Sequence, residues 1–448
     1  MRVLTPTLNR GLDDPAVVGY PIMASLFVFV AAMFFDVAPA AVGVLVVLTG
    51  LAVWTNTRVL AGGRYLHAYA LILAAKLGLL VYQIQFKNLP LSGVDWGYYH
   101  GFGTRLATAT RGDILAILTS DWDLFTRVTA VVYSLFGSDP EQMYFFVFVT
   151  SLLTFRYVYG AAEILLEDRE AAQRVALLFM VWPNEIVMSV TFLREMPIQM
   201  LVAASLYHFL RFWTDRRPVQ IVLALALSLL ATLMHSGMIV FPVAYAYLAI
   251  RARERGGLQV VRTAAFAVAA VLFLSSLVAA PLLAKFGDFN SLSEILDEAG
   301  SANQYAVDAT TYYLNPDLGD APLIQLPYRF IMFALSPLPW QATTLGTAIA
   351  VLIEGLPRLF MLYMLAICYF RCRTGAPRRD ALLIGLLVTI VVTYVVFSLG
   401  VSTYGTAIRH RAKLFPVEII LVYAAAAARV GSRARPSFVR NLNAVFAR

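Results

Sequence analysis

The feature that most constrains this chain is a series of apolar runs, each long enough to cross a lipid bilayer. A transmembrane helix needs about 20 mainly apolar residues, and lipid excludes backbone groups without internal hydrogen bonds. The runs therefore predict an all-α, polytopic membrane bundle with about twelve transmembrane helices. They lie at residues 17–35, 40–56, 67–85, 142–165, 173–190, 196–213, 219–235, 237–251, 261–283, 346–370, 380–399 and 412–428. The weaker apolar stretches 124–136 and 326–340 favour interfacial or re-entrant helices instead.

The composition excludes several classes of protein. Hydrophobic residues make up 60% of the chain and charged residues only 14%, which leaves too little polar surface for a soluble protein of this length. Soluble enzymes, disordered proteins and secreted disulfide scaffolds are therefore excluded. The two cysteines, Cys368 and Cys372, have no neighbouring histidine or acidic residues. They predict neither a disulfide framework nor a metal site.

Arginine is concentrated in every second loop between the apolar runs. By the positive-inside rule this face is cytoplasmic, which places both termini and the basic tail 429–448 in the cytoplasm. The opposite face receives two long loops, 86–141 and 284–345, which we expect to carry short interfacial helices. The net charge of +8 follows from the basic loops and does not indicate nucleic acid as a partner. We expect residues 1–448 to form one membrane domain with an extracytoplasmic functional face.

The first long outer loop holds an acidic residue among aromatic ones, in the stretch 94–100, Val-Asp-Trp-Gly-Tyr-Tyr-His. Asp95 could act as a general base or bind a hard cation such as Mg²⁺ or Mn²⁺. Tyr99 and His100 beside it are suited to binding a sugar, since aromatic faces stack on sugar rings. The alternative is an interfacial aromatic belt in which Asp95 is incidental.

Two further polar groups interrupt apolar runs on the same predicted face. Arg194 and Glu195 precede Pro197, which fits the first turn of a helix. They would lie beside a helix N-terminus, which favours anions. His235 separates two apolar runs at Met-His-Ser-Gly. Arg194 is therefore a candidate anion ligand, and Glu195 and His235 are candidate functional residues on the same face. The alternatives are an interfacial ion pair, worth roughly 0–1 kcal/mol, and a helix-end histidine with a satisfied hydrogen bond.

The strongest anomaly is a basic cluster before the last apolar run, where Arg409, His410, Arg411 and Lys413 follow Gly405-Thr-Ala-Ile. These groups stand on the face that the positive-inside rule keeps poor in arginine. A cation costs about 2.5–3.5 kcal/mol at the membrane centre and less near its edge. We therefore predict that the cluster binds the phosphate of a ligand, because arginine forms bidentate phosphate contacts. Binding of anionic lipid headgroups is the alternative.

Other charges lie inside the apolar runs. Lys76 is the most isolated, near the middle of its run, while Glu354 and Arg358 are four residues apart and could pair on one helix face. The sequence has no Walker loop and no HExxH motif, so ATP hydrolysis and zinc proteolysis have no support.

The order of three segments resembles bacterial membrane glycosyltransferases of the GT-C superfamily and the related polymerases of capsular and exopolysaccharide repeat units. The segments are the outer loop with Asp95 and Tyr99, residues 182–236 from Trp-Pro through Arg-Glu to His-Ser, and residues 405–411, Gly-Thr-Ala-Ile-Arg-His-Arg. The resemblance implies a GT-C-like fold in the bacterial inner membrane. It also implies transfer of a sugar or oligosaccharide from a polyprenyl-phosphate or polyprenyl-diphosphate carrier to an acceptor glycan, in the assembly of O-antigen, capsule or exopolysaccharide.

The resemblance also implies residue roles. Asp95 would be the acidic residue of the outer loop, and Arg409 and Arg411 would hold the lipid phosphate with help from Arg194. The candidate catalytic residues are Asp95, Glu195 and His235, and the candidate substrate-binding residues are Tyr99, His100, Arg194, Arg409, His410 and Arg411. Dependence on a divalent cation stays open, because Asp95 has no adjacent acidic residue. The alternatives are a transporter or flippase of lipid-linked saccharides, which the lack of an internal repeat disfavours, and a non-catalytic scaffold.

Overall fold

The computed structural model describes most of the chain as helices. The described residues are 15–61, 64–89, 95–251, 322–342, 345–371, 377–401 and 403–428. Every regular element in these ranges is helical, which confirms the prediction of an all-α, polytopic membrane protein. The chain divides into two compact units, one formed by Met1–Gly160 and Ala172–Met200 and the other by Ala161–Ala171 and Leu201–Arg448. The single domain 1–448 stays a prediction.

The first unit contains the early helices and the helices of the first long loop. It includes α1 (Pro15–Phe34), α2 (Pro39–Leu60), α3 (Leu66–Phe86), α4 (Asp95–Ala109), α5 (Ile114–Leu118), α6 (Leu124–Phe136), most of α7 (Glu141–Leu166) and of α8 (Arg169–Val181), α9 (Pro183–Met188) and the start of α10 (Glu195–Asp215). The short helices expected in loop 86–141 are thus α4, α5 and α6. The first two helices pack as a hairpin and expose apolar side chains such as Ile22 and Phe34, as helices in lipid do.

The second unit contains the rest of α10 and the later helices. These are α11 (Pro218–Met234), a 3₁₀ turn (Ser236–Ile239), α12 (Val240–Arg251), α13 (Pro322–Leu335), a 3₁₀ turn (Pro339–Gln341), α14 (Leu345–Ala350), a π-helical turn (Val351–Gly355), α15 (Leu356–Arg371), α16 (Pro377–Gly400), α17 (Tyr404–Ala412) and α18 (Phe415–Ala428). The predicted helix at 261–283 and most of loop 284–345 lie outside the described residues.

Six helices of the described chain are long and apolar enough to cross a membrane. They are Pro15–Phe34, Pro39–Leu60, Leu66–Phe86, Glu141–Leu166, Ala348–Ile367 and Asp380–Gly400. Five shorter apolar helices accompany them, at Leu124–Phe136, Pro218–Met234, Ser236–Ile250, Ile324–Leu335 and Phe415–Ala426. Several of the twelve predicted crossings therefore correspond to helices that are shorter than a full bilayer span.

The predicted crossing at 173–190 is not one continuous helix. α8 ends at Val181 and α9 begins at Pro183, with Trp182 between them in an extended conformation (φ −61°, ψ 127°). A residue before proline is disfavoured in helical geometry, and proline itself fits the first position of a new helix. The apolar run therefore predicts helices in this segment, but not that the helix is interrupted at Trp182.

Candidate functional site

The candidate residues fall into two groups, one in each unit. We call Asp95, Tyr99, Arg194 and Glu195 the acidic cluster; it belongs to the first unit. We call His235, Phe397, His410 and Arg411 the histidine cluster; it belongs to the second unit.

The inner face of α4 positions Tyr99 in the acidic cluster. The buried residues Tyr99, Gly103 and Leu106 follow one another at spacings of four and three, which places them on one helix face. A Cβ atom on Gly103 would come within 2.6 Å of Thr129 Cγ2 on α6. Glycine therefore permits the close approach of α4 and α6 that buries Tyr99. Asp95 opens α4, where its carboxylate complements the positive end of the helix dipole.

Tyr99 and Arg194 are in contact. The guanidinium carbon of Arg194 lies 5.9 Å from the centre of the Tyr99 ring, within cation–π range. The same ring packs edge-on against Phe125, with centroids 4.8 Å apart and an interplanar angle of 87°. Burial raises the pKa of the Tyr99 phenol, which the nearby Arg194 partly opposes. The phenol is therefore protonated at neutral pH and can donate a hydrogen bond.

His100, predicted to bind substrate, joins α4 to α6. Its Nδ1 lies 2.9 Å from the Tyr133 hydroxyl. Burial lowers the pKa of His100, and the cation Lys87 lowers it further, while Glu141 opposes the shift. The imidazole is therefore neutral at pH 7. Its role in substrate binding stays a prediction.

A buried polar network follows the break between α8 and α9. Gln199 Nε2 donates a 2.5 Å hydrogen bond to Glu185 Oε1, and the charge of Glu185 interacts with that of Lys76. Lys76, Glu185 and Glu195 are each at most 1% exposed. Lys76 is thus not electrostatically isolated, as the sequence suggested, because the charge of Glu185, about a hundred positions later in the chain, acts on it. The sequence analysis missed Gln199, although Gln199 follows Glu195 by one helical turn.

The histidine cluster joins two residues that are 175 positions apart. His235 follows α11 with an extended backbone (φ −155°, ψ 110°) and leads into a 3₁₀ turn. His410 lies in the last turn of α17, whose first residues are capped by the Thr403 hydroxyl. The two Nε2 atoms are 2.9 Å apart. His410 Nδ1 is 2.9 Å from the carbonyl oxygen of Thr406.

Phe397 of α16 packs against both imidazoles. Its ring meets those of His235 and His410 edge-on, with centroids 5.1 Å and 5.0 Å apart. A Cβ atom on Gly237 would lie 2.3 Å from Phe397 Cε1. Only glycine fits at this position without moving the phenylalanine. The sequence analysis missed Phe397 and gave Gly237 no role in its packing.

Arg411 is fixed by protein groups. It is 1% exposed, Nη1 donates a 2.7 Å hydrogen bond to the carbonyl oxygen of Phe333, and Nη2 is 3.6 Å from Glu354 Oε1. Arg409 is half-buried on the same helix. Residues two apart on a helix do not face each other, whereas residues four apart do. Arg409 therefore lies on the face of Lys413, whose Nζ is 5.7 Å from the Phe397 ring centre.

Glu354 and Arg358, which the sequence suggested could pair with each other, each contact another element. Arg358 forms a bidentate ion pair with Glu418, at 2.6 and 2.8 Å. The Tyr394 hydroxyl donates a 2.5 Å hydrogen bond to the same carboxylate. The rule of four-residue spacing assumes an α-helix, but residues 351–355 form a π-helical turn, in which the face of each residue changes.

A known protein family matches one segment of the chain, which begins at α6 and ends after α12. Residues 124–280 match the model of the dolichyl-phosphate-mannose-protein mannosyltransferase family. This is a GT-C family of membrane glycosyltransferases, so the match confirms the GT-C resemblance. The matched range is about a third of the 448 residues. No curated protein and no solved structure matches the chain.

The match covers only part of the candidate site. Arg194, Glu195 and His235 lie within residues 124–280, whereas Asp95 and Arg409 lie outside. The match supports a membrane glycosyltransferase with a lipid-linked sugar donor and an acceptor. Among the described residues, no group of three or more histidine, cysteine, aspartate or glutamate side chains could hold a metal ion.

Proposed function

We propose that this protein transfers a sugar or oligosaccharide from a polyprenyl-phosphate or polyprenyl-diphosphate carrier to an acceptor glycan. The reaction takes place on the extracytoplasmic face of the bacterial inner membrane and serves the assembly of cell-surface polysaccharide. The observation that carries the proposal is the family match over residues 124–280. That range contains one candidate anion ligand, Arg194, and two candidate bases, Glu195 and His235.

The chemistry has two requirements. The acceptor hydroxyl must lose a proton as it attacks the anomeric carbon, and a positioned base contributes about 10²–10⁴-fold to such a step. Asp95, Glu195 and His235 are the candidate bases. The departing phosphate needs preorganised positive charge, for which Arg409 and Arg194 are the candidates.

Arg411 has a different role in this proposal from the one that the resemblance implied. Its guanidinium already contacts the Phe333 carbonyl and Glu354. We assign it to holding α17 in place, so that Arg409 can reach the phosphate. Asp95 is the residue that would hold a divalent cation, Mg²⁺ or Mn²⁺, together with the donor phosphate. Tyr99 and His100 are assigned to the sugar.

A transporter or flippase of lipid-linked saccharides is the second candidate. The break between α8 and α9 and the buried charges Lys76 and Glu185 favour it, because transporters often use discontinuous helices and intramembrane charges. The enzyme is the better supported function, since the family match names a transferase.

The deciding experiment compares lipid-linked saccharides, by mass spectrometry, in cells with and without the protein. Complete repeat units that accumulate on the outer face would identify a polymerase, and units short by one sugar a single-sugar transferase. Complete units confined to the cytoplasmic face would identify a flippase and contradict the enzyme. Unchanged lipid-linked saccharides would contradict both. Cysteine accessibility at positions 95, 194 and 409 tests the predicted topology independently.

A further inference from the structure

Two glycines of α4 have no role in packing. Gly103 permits the close approach of α4 and α6, but a Cβ atom on Gly97 or on Gly101 would meet nothing within 4 Å. Glycine destabilises a helix relative to alanine. Gly101 follows Gly97 by one helical turn, so the two lie together on one side of α4, which we call the bare face. A helix surface kept bare at a cost in stability suits the close approach of a ligand to the backbone.

Three aromatic rings border the bare face. Tyr98 lies three residues before Gly101, and Phe102 follows Tyr98 by one turn of α4. The ring centroids of Tyr98 and Phe102 are 4.5 Å apart, and those of Phe102 and Trp122 are 4.6 Å apart. Tyr98 is 47% exposed, and the other two side chains are half-buried. We call these three residues the aromatic row, which a ligand can reach from outside the protein.

Hydrogen bonds fix one end of the aromatic row. Trp122 lies in the turn before α6, and Arg127 of α6 holds this turn. Its Nε donates a 2.5 Å hydrogen bond to the carbonyl oxygen of Trp122, and its Nη1 a 2.8 Å hydrogen bond to that of Leu118. The next residue, Asp123, caps α6 by accepting hydrogen bonds from two backbone amides. The position of Trp122 is therefore preorganised, which lowers the entropic cost of binding a ligand.

The other end of the aromatic row adjoins the acidic cluster. Asp95 precedes Tyr98 by three residues and Phe102 by seven, so the three share one face of α4. The Tyr98 ring also packs edge-on against Tyr99, with centroids 5.3 Å apart and an interplanar angle of 88°. Tyr99 is the ring that Arg194 contacts. The aromatic row therefore leads away from the residues assigned to the transfer.

The exposed side of α4 differs from a surface that enters lipid. On α5, three long aliphatic side chains are exposed, Ile114, Leu115 and Leu118, as in a helix that lies in the membrane interface. The exposed residues of α4 include no long aliphatic side chain and are Gly97, Tyr98, Arg105, Thr108 and Ala109. Aromatic rings among polar groups suit a sugar, because the rings stack on its apolar faces and the polar groups bind its hydroxyls.

We propose that the aromatic row and the bare face bind the acceptor glycan as a chain of several sugars, which lie along Tyr98, Phe102 and Trp122. The inference rests on the proposed function and names the class of its acceptor, an oligosaccharide. Neighbouring rings of the row are tilted by 56° and 38° and stand about as far apart as neighbouring sugars in a glycan, so successive rings can contact successive sugars. Arg105, whose guanidinium carbon lies 5.5 Å from the Phe102 ring centre, supplies hydrogen-bond donors to the hydroxyls.

Two substitutions of Tyr98 test whether a sugar uses its ring. The probes are oligosaccharides of increasing length, prepared by partial hydrolysis of the cells' own surface polysaccharide, and titration calorimetry measures their binding to the full-length protein in nanodiscs. Longer fragments should bind the unchanged protein more tightly until all three rings are used. Tyr98→Leu keeps an apolar side chain without a ring and should weaken binding by about threefold to tenfold, the size of one aromatic contact. Tyr98→Phe keeps the ring and should stay within about twofold.

A substitution on the bare face separates ligand binding from folding. Gly101→Ala should leave the melting temperature unchanged or raise it, because alanine is the better helix former. It should nevertheless weaken glycan binding by about fivefold or more, because the added methyl group occupies the space of a sugar. Gly78→Ala is the matched control, since Gly78 lies within α3 and nothing lies within 4 Å of its added Cβ either. It should leave glycan binding unchanged.

Turnover gives an independent measure. With the lipid-linked saccharide purified from cells that lack the protein as substrate, Tyr98→Leu should raise KM and leave kcat nearly unchanged. A loss in kcat alone would contradict a binding role.

Three results would overturn the inference. One is undiminished glycan binding by Tyr98→Leu, which would assign the aromatic row to the interfacial aromatic belt, because leucine also partitions into lipid. The others are undiminished binding by Gly101→Ala and affinity that does not rise with fragment length. If lipid-linked saccharides proved unchanged in cells without the protein, the proposed function would fail, while calorimetry would still decide whether the row binds glycan.

Discussion

The acidic cluster and the histidine cluster hold their charges in different ways. In the acidic cluster, Arg194 contacts the face of Tyr99 at 5.9 Å, an interaction worth about 0.5–1 kcal/mol when exposed and about 2 when desolvated. In the histidine cluster, Arg411 is 1% exposed and is held by a carbonyl and a carboxylate. Substitution of the half-buried Arg194 should therefore change ligand binding more than folding. Around the second cluster, a substitution should destabilise the fold where the residue forms a buried ion pair or hydrogen bond, as Arg358 and Arg411 do.

The largest effect is expected at the buried ion pair of Arg358 and Glu418, which belongs to the second unit, as the histidine cluster does. Arg358→Met would leave the carboxylate of Glu418 buried without its bidentate partner, which costs about 3–5 kcal/mol. Thermal unfolding in detergent measures the loss. The double variant with Glu418→Gln should recover most of it, because no uncompensated charge remains. If Arg358→Met were neutral, the contrast between the two clusters would not hold.

A smaller effect on turnover, with none on folding, is expected from Arg409→Ala. The half-buried Arg409 is the cation assigned to the donor phosphate, and loss of one preorganised donor lowers kcat by about 10²–10³-fold. The measurement is turnover of the purified lipid-linked saccharide. Arg211→Ala is the control, because Arg211 forms an exposed ion pair with Asp215 at 3.0 Å, worth about 0–1 kcal/mol. Normal turnover by Arg409→Ala would remove its phosphate-binding role.

The packing around Phe397 gives a third prediction. Gly237→Ala would place a methyl group 2.3 Å from Phe397 Cε1 and should destabilise the protein by about 1–3 kcal/mol through overpacking. The melting temperature and turnover should fall together, since Phe397 contacts both imidazoles. Gly400→Ala is the matched control, because nothing lies within 4 Å of its added Cβ. Equal melting temperatures for the two variants would contradict the tight packing.

The smallest effect is expected in the acidic cluster. Tyr99→Phe keeps the aromatic face under Arg194, whereas Tyr99→Leu removes it. We expect Tyr99→Leu to weaken donor or acceptor binding by about threefold to fivefold, the lower end of the range for a cation–π contact, because Arg194 is only half-buried, with little change on Tyr99→Phe. Substrate titrations of both variants measure this difference. A loss in Tyr99→Phe as large as in Tyr99→Leu would assign the effect to the hydroxyl instead.

The sequence predicted the helical class and most helix positions, because apolar runs report hydrophobicity directly. It placed α6 at 124–136, where the structure has Leu124–Phe136. It did not predict partners within the bundle. Helices that are apolar on most faces carry little information about which face contacts which neighbour. The ion pair of Arg358 with Glu418 and the contact of His235 with His410 each join residues far apart in the chain.

Candidate site residues were easier to find than their roles. A guanidinium or imidazole among apolar residues is costly in a membrane, so Arg409, Arg411 and His235 stood out in the sequence. The structure shows that Arg411 contacts a carbonyl and Glu354, which a single sequence cannot reveal. The π-helical turn at Val351–Gly355 likewise has no sequence signal that would have placed Glu354 beside Arg411.

The interruption at Trp182 has a consequence for how this protein enters the membrane during synthesis. α8 has 13 residues and α9 has six, so at about 1.5 Å per residue neither can reach across a hydrocarbon layer of roughly 30 Å. Extended backbone between them would be exposed to lipid if the segment left the translocon alone. Stable integration of this stretch must therefore wait for neighbouring helices, which couples its insertion to the assembly of the bundle.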